Sequence, residues 1–449
     1  MVNELRDLLR DNVASAPPDN GDLSAVLRGG RRRVRRRRLA AVGGTAIASA
    51  AVVGLTSLIW PSPPDFEAAG VPTPNAPTLR LADARVAVEG GDYRVLASYT
   101  NDNLEDDNGQ YFDGVSDDGR ILFRDGPRRD MLRPRFALMD PATGEKNWLP
   151  DPPTSSDEQL WPVDLGAERL VFTGLHLGEV EGAAPGPQSQ LFALVYDRTA
   201  REWHRLEWAD LPALDQPAPG KLGPDGRLYV RVPATEGKPP AGGWPKGPSG
   251  EADDAGAEGD TYELWSASLT DASDVRDEGL TVGDVAFTDS SMVWTDSTNG
   301  DSGLVHVRDL GTGEEHSIDP HSGQRCNLLS FGATEERIVM GQYCGTYGGG
   351  VRDDRVQILS ADGEQVVTLQ GSGIDGTLVG GSDVVTVISY QRGRSGTYVY
   401  DLGTDRFLRL SEEVSHWLTS GPTPEGDFMW NTPANRGNGA TQWLGELVD

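Results

Sequence analysis

The sequence predicts an all-β fold, a seven-bladed β-propeller, preceded by a short helical cytoplasmic segment and one transmembrane helix. Three observations predict it. Short apolar strands recur at a spacing of roughly 45 residues, the spacing of propeller blades. Turns of Asp, Gly, Ser and Thr separate them. A single uncharged run long enough to cross a bilayer stands near the N-terminus, directly behind a block of arginines. Composition agrees. Among 449 residues, 56 Gly and 30 Pro imply many turns and disfavour a helical enzyme, and 37% apolar residues are too few for a polytopic membrane protein.

Residues 1–38 form the predicted cytoplasmic segment. They hold ten Arg and five acidic residues, a balance of +5; residues 39–449 hold 30 basic and 64 acidic residues, a balance of -34, and the two sum to -29. An acidic body repels nucleic acid, so no nucleic-acid partner is expected. Val2, Leu5, Leu8, Leu9 and Val13 recur at helical spacing, and Pro17-Pro18 stops that helix. Such a helix can dock on a cytoplasmic regulator or lie on the anionic inner leaflet. The membrane-flanking block is Arg31, Arg32, Arg33, Arg35, Arg36, Arg37 and Arg38.

Leu39–Trp60 follows, 22 residues without a charge. Arginines on one flank keep that flank in the cytoplasm, and Trp60 suits an interfacial anchor at the other. The predicted topology is a single-pass cell-membrane protein held in lipid by the 39–60 span, with its N-terminus inside and its propeller outside. The alternatives are a cleaved signal peptide ending near Ala68-Ala69-Gly70, twin-arginine export, and a buried core helix. Residues 61–78 read as a linker, with six prolines in 61–77. The two cysteines, Cys326 and Cys344, both lie beyond the span. An even count in an exported domain reads as one disulfide, worth about 3 kcal/mol for so short a loop, with two buried thiols as the alternative.

Residues 79–449 read as the extracellular propeller. Apolar strands begin at Ile121, Leu170, Leu228, Met292, Ile338, Val384 and Phe428, spaced 49, 58, 64, 46, 46 and 44 residues apart. The two long spacings reflect insertions, and residues 236–260 read as a disordered loop. A second strand follows each start, and several of these end in hairpin turns such as Asp140-Pro141-Ala142-Thr143-Gly144 and Asp401-Leu402-Gly403-Thr404-Asp405. A four-stranded blade has two apolar faces and cannot bury them alone; a ring buries face on face. The last unit stops at Asp449 without an outer strand. Leu79–Val88 or Tyr93–Tyr99 could supply one and close the ring. The rival architecture is a pair of stacked β-domains.

The stretch Ala137-Leu138-Met139-Asp140-Pro141-Ala142-Thr143-Gly144-Glu145-Lys146-Asn147-Trp148 resembles the Ala-x-Asp-x-x-Thr-Gly-x-x-x-Trp blade signature of quinoprotein propellers, with one extra residue before the Asp. The body thus resembles bacterial Trp-Asp-repeat-like and quinoprotein-like propellers. Neither an adjacent Cys pair nor a stacked Trp set carries a quinone site across. The order of Leu5–Ala14, Arg31–Arg38 and Leu39–Trp60 resembles single-pass membrane-anchored propeller proteins of high-GC Gram-positive bacteria, some encoded beside extracytoplasmic-function sigma factors.

No catalytic, metal or cofactor residue is assigned from sequence. Gly300-Asp301-Ser302-Gly303 matches four positions of the chymotrypsin-type serine signature, but Leu304 stands where that family has Gly, and a loop is expected. His316, Asp319 and His321 are close enough to share a metal, yet zinc wants three or four ligands with supporting partners. Asp102, Glu105, Asp106 and Asp107 are permissive for calcium without the EF-hand spacing, and a solvated acidic loop is expected. A glycosidase needs one suitable carboxylate pair, which sequence cannot pick from 64 acids beyond residue 38. The reading is a non-enzymatic binding or sensing module with an unknown extracellular ligand or protein partner, reporting to a cytoplasmic regulator through residues 1–38. The alternative is an extracellular propeller-fold hydrolase.

Overall fold

The computed structural model describes residues 77–448, apart from 105–108, 127–130, 177–189, 215–219, 238–258, 299–301, 321–325, 348–350 and 416–420 and the single residues 132, 157, 345, 353 and 372. Six sheets of antiparallel strands follow one another along the chain, and a seventh joins its two ends. The first blade is Tyr111–Val115, Ile121–Asp125, Arg135–Met139 and Lys146–Trp148. The second is Glu158–Leu165, Arg169–His176, Leu191–Asp197 and Glu202–Glu207. The third is Lys221–Leu222, Arg227–Thr235, Thr261–Ser268 and Val275–Val282, and the fourth is Val285–Phe287, Ser291–Thr295, Val305–Asp309 and Glu315–Ile318. The fifth is Cys326–Ala333, Arg337–Cys344, Asp354–Ser360 and Gln365–Gly371, and the sixth is Ile374–Leu378, Val384–Ser389, Gly396–Asp401 and Phe407–Arg409.

Six of the seven apolar strand starts read from the sequence fall on the second strand of a four-stranded blade, and the seventh, Phe428, falls on Asp427–Ala434, the innermost of the three described strands of the last blade. The reason is burial on both faces: every residue of Ile121–Asp125 is buried, and the strand opens on the apolar run Ile121–Phe123 before Arg124 and Asp125. The first strands were not legible. Two of them, Lys221–Leu222 and Val285–Phe287, are too short for a period to show.

Seven apolar cores fill the seven interfaces between neighbouring blades. Leu122, Phe136 and Leu138 of the first blade meet Phe172, Phe192 and Leu194 of the second. Val384, Val399 and Leu408 of the sixth meet Phe428 and Trp430 of the seventh. Ala97 and Leu444 of the seventh meet Phe112, Ile121 and Met139 of the first, which completes the circle. Each fully buried Phe contributes roughly 1.5–3 kcal/mol through removal of its apolar surface from water. One continuous ring of cores replaces the rival pair of stacked domains.

Closure runs through the N-terminal part of the domain. Asp427–Ala434 and Gly439–Leu447 form the seventh blade with Tyr93–Asn101 as its outer strand, paired antiparallel from Tyr93↔Leu447 to Asn101↔Ala440. Tyr93–Tyr99 was one of the two expected closers. The other, Leu79–Val88, goes elsewhere. Thr78–Arg80 pairs in parallel with Gln365–Gly371 and Arg85–Val86 with Phe407–Arg409, as fifth strands on the fifth and sixth blades. Leu81, 4% exposed, plugs the core between them. On the inner side, the Val115 N–H donates to Pro422 O at 2.8 Å and the Thr423 N–H to Gly380 O at 3.2 Å. Gly421 permits this approach: a Cβ there would stand 1.8 Å from Asp113 O.

Arg31–Arg38, Leu39–Trp60 and residues 61–76 of the linker lie outside the described residues. Among the described residues, no helix is long and apolar enough to cross a membrane.

Candidate ligand-binding end of the ring

The strand order gives the ring two unlike ends. At one end, the first strand of each blade turns into the second and the third into the fourth. These connections span only three to six residues in the first six blades. At the other end the second strand passes to the third, and the fourth passes to the next blade. There the second-to-third connections reach 14 residues in the second blade (177–190) and 25 in the third (236–260).

The short-turn end engages its own carboxylates. Asp140 Oδ1 accepts the N–H groups of Ala142 and Thr143 at 2.9 and 3.0 Å. Asp197 does the same for Thr199 and Ala200 at 2.8 and 2.7 Å, and Asp309 for Gly311 and Thr312 at 2.9 and 2.7 Å. Asp401 accepts from Gly403 and Thr404 at 3.0 and 3.1 Å. The Asp-x-x-Thr pattern that resembles a quinoprotein signature is thus a turn device, an Asx-turn repeated around the ring. The amide donors, with Thr143 foremost at Asp140 and Thr312 at Asp309, hold those carboxyls below the usual carboxylate range. Burial pushes Asp401 up, but the Thr404 hydroxyl, Arg406 and the turn amides outweigh it, and the net direction is also down.

Further contacts at this end stitch blade to blade. Arg198 donates to both oxygens of Asp118 at 2.9 and 2.7 Å. The Gly426 N–H donates to Asp383 Oδ1 at 2.7 Å, and Arg406 Nη1 donates to Val448 O at 2.7 Å.

The opening of the ring is lined by the first strands. Lys221 Nζ, from the third blade, donates across it to Phe331 O of the fifth at 3.1 Å. The same ammonium lies 3.8 Å from Asp284 Oδ1, which is 3.3 Å from Arg231 Nη1. Burial pulls the Lys221 ammonium below the usual lysine range, and Asp284 opposes it. Nearby, the first and second blades are joined by Arg124, which donates to Asp113 Oδ2 at 2.7 Å and to Leu160 O at 2.7 Å. Both side chains of that pair are buried, so removing one partner would strand an uncompensated charge.

A cavity of about 100 Å³ lies between the sixth and seventh blades, lined by Asp375, Thr377, Val384, Ile388, Trp430 and Asn431 among others. Asp427 stands at its edge. Burial and the Glu446 carboxylate opposite it push its carboxyl up to about 7, against the opposing pull of Arg94.

The sequence-predicted residues disperse. The backbone register sets Cys326 directly opposite Cys344. His316 Nε2 is within 3.0 Å of Ala361 O, while His321 lies outside the described residues. Among the described residues no group of three His, Cys, Asp or Glu is placed to hold a metal. Ser302 is 1% exposed, within the 296–304 connection, and Gly300 and Asp301 lie outside the described residues. Of the acidic run, Asp102 is described and Glu105, Asp106 and Asp107 are not.

One constellation was missed. On the fourth blade, Ser317 Oγ is 3.0 Å from His306 Nδ1, and His306 Nε2 is 2.8 Å from Asp296 Oδ1. The signal lay in the hairpin Asp309–Glu314, whose register sets His306 opposite Ser317. Asp296 is placed at the long-connection end, just past the strand Ser291–Thr295.

No family model matches the chain, and no curated protein does. Several solved structures are similar at low identity. A puromycin-hydrolyzing peptidase of Mycobacterium tuberculosis is 12% identical, with a TM-score of 0.40 over 78% of this chain and 53% of that one. The β-propeller domain of the Trilobed protease from Pyrococcus furiosus is 11% identical, with a TM-score of 0.42 over 79% of this chain and 98% of that one. TolB from Acinetobacter baumannii is 14% identical, with a TM-score of 0.30 over 59% of this chain and 57% of that one. The chain spans about half the length of the puromycin hydrolases it matches. The protein is a seven-bladed β-propeller resembling the propeller domains of such peptidases and of TolB, and its blade count rests on its own strand ladders.

Proposed function

We propose that this protein is a membrane-anchored extracellular binding or sensing module that takes its ligand at the long-connection end of the ring. The observation that carries this reading is the contrast between the two ends. The short-turn end has its carboxylates engaged in Asx-turns and inter-blade bonds, as at Asp140, Asp309 and Asp401. The opposite end carries the long connections, and loops held on a rigid scaffold are where recognition concentrates. Anchorage rests on Arg31–Arg38 beside Leu39–Trp60. In this reading residues 1–38 face a cytoplasmic regulator, and Cys326 and Cys344, opposite in register, form a disulfide.

The test places a photo-crosslinking residue at Glu236, on the long-connection end, or at Thr143, on the short-turn end, of the full chain in intact cells. A discrete adduct from position 236 and none from 143 is the expected result. Adducts from 143 alone, or from both alike, would overturn the assignment. A reporter enzyme fused after Asp449 should be active only outside the cell; cytoplasmic activity would end the anchored reading.

A further inference from the structure

We infer that Ser317, His306 and Asp296 form a nucleophilic site at the long-connection end of the fourth blade, able to cleave a small, uncharged carboxylic ester. The argument starts from register. His306 faces Trp294 on one side and Ser317 on the other, so all three side chains share one face of the blade. The imidazole stacks on Trp294, with ring centroids 5.0 Å apart and planes 12° from parallel, which fixes its orientation. Asp296 is fixed as well. Its Oδ2 accepts the Leu304 N–H at 2.8 Å while Oδ1 meets His306 Nε2 at 2.8 Å. Gly303, at φ 69°, makes room, since a Cβ there would stand 2.5 Å from the Asp296 carboxylate.

The tautomer follows. The hydrogen bonds from His306 and the Leu304 N–H outweigh burial and keep Asp296 ionised, and an ionised carboxylate only accepts. His306 Nε2 therefore carries the proton, and Nδ1 is the acceptor for the Ser317 hydroxyl at 3.0 Å. A serine O–H aimed at an oriented, basic imidazole is the arrangement that activates a nucleophile. The two ring nitrogens exchange the roles they hold in chymotrypsin-type enzymes, with the same flow of electrons. Glu315 Oε1 lies 3.7 Å from Nδ1, but its other oxygen accepts from Arg308 at 2.9 Å, so Asp296 is the carboxylate that balances the imidazolium that would form.

The register also offers an oxyanion donor. The Asp309 N–H to Glu314 O bond makes that pair a hydrogen-bonded one, so alternation makes His306–Ser317 a non-hydrogen-bonded pair. The N–H of Ser317 thus points away from the blade, and Glu315–Ile318 is the outermost strand of its sheet. Ser317 Oγ would attack the ester carbonyl carbon as its proton passes to His306 Nδ1. The carbonyl oxygen takes up the electron pair near the Ser317 N–H. Collapse expels the alcohol, which leaves with the proton from Nδ1. Water then repeats the sequence on the acyl-serine, releasing the acid and restoring the hydroxyl. Asp296 beside the site disfavours an anionic substrate, while the charge of Glu315 is balanced by Arg308.

This inference belongs to the hydrolase alternative and is independent of the photo-crosslinking result. The full chain is treated with a fluorophosphonate probe, and the adduct is mapped by mass spectrometry. One adduct at Ser317 is expected, forming about 100-fold more slowly in His306→Gln, the order of effect of a general base. No adduct at Ser317 in the folded chain would overturn the site, as would an unchanged rate in a folded His306→Gln chain. If that variant loses its cooperative melting transition, Asp296→Asn, which keeps the side chain's shape, provides the same comparison with the same two outcomes.

Discussion

The two ends of the ring are built from the same strands and differ in what their polar groups do. At the short-turn end, Asp140, Asp197, Asp309 and Asp401 satisfy backbone amides two and three residues on. Their role is local and repeated, and it is what a chain needs to reverse direction in four or five residues. At the long-connection end the polar groups are particular to one blade. Asp296 holds His306 there, whereas Lys221 reaches across the opening, and Asp427, next to Gly426 at the short-turn end, sits against Glu446. Repetition marks structure in this molecule, and departure from repetition marks the candidate sites.

That contrast breaks most visibly at the closing strand, which belongs to neither pattern. Removing residues 1–74 should leave a folded domain with one cooperative melting transition. Removing residues 1–101 takes away Tyr93–Asn101 and exposes the edge and apolar faces of the seventh blade, so that chain should aggregate or fail to show the transition. Equal melting of the two would overturn closure by this strand.

At the short-turn end, Asp401→Ala should cost about 2–3 kcal/mol in a denaturant titration, because it leaves turn amides and Arg406 without their acceptor. The sign with pH is set by the lowered carboxyl of Asp401. Its stabilisation is present above the unfolded-state value of about 4 and disappears as pH falls through the folded-state value. The cost of the substitution should shrink accordingly in acid.

Asp427 has the opposite sign. Its folded-state carboxyl is raised to about 7, so the folded state loses stability relative to acid as pH rises from about 4 through 7. Asp427→Asn should raise stability by about 1–2 kcal/mol at a pH of about 8 and change little at about 4. A loss of stability at both would show that the carboxylate has a partner the substitution breaks.

The smallest effect should come from the longest connection. Replacing residues 238–258 by a Gly-Ser pair should move the melting temperature by less than about 2 °C, since loop length enters closure entropy only logarithmically. A large shift would make that connection part of the scaffold rather than of a recognition surface.

The pattern of legibility has the same origin. The second strands at Ile121, Leu170 and Val384 were readable because burial on both faces makes each begin with consecutive apolar residues, Ile121–Phe123, Leu170–Phe172 and Val384-Val385. The closing strand was readable by counting, since the last unit lacked one. The first strands were not, because Lys221–Leu222 and Val285–Phe287 are too short for a period to show. Leu79–Val88 was readable as strand, but not its parallel partners, since Thr78–Arg80 and Arg85–Val86 are held by backbone pairing with other blades. The Ser317–His306–Asp296 group was hidden for a different reason. Ten or eleven residues separate its members, and only the hairpin register brings them together.

The path of residues 78–101 has a mechanical consequence. The chain lies along the rim of the fifth and sixth blades before it completes the seventh. A pull applied at Pro77 therefore meets, in series, three residue pairs at Thr78–Arg80, then two at Arg85–Val86, then the eight-pair ladder of Tyr93–Asn101. The Arg85–Asp92 ion pair ties the second of these junctions to the loop before the third. The two short attachments act as fuses. Under tension they would part first and lengthen the free chain, while the latch that keeps the ring shut stays unloaded.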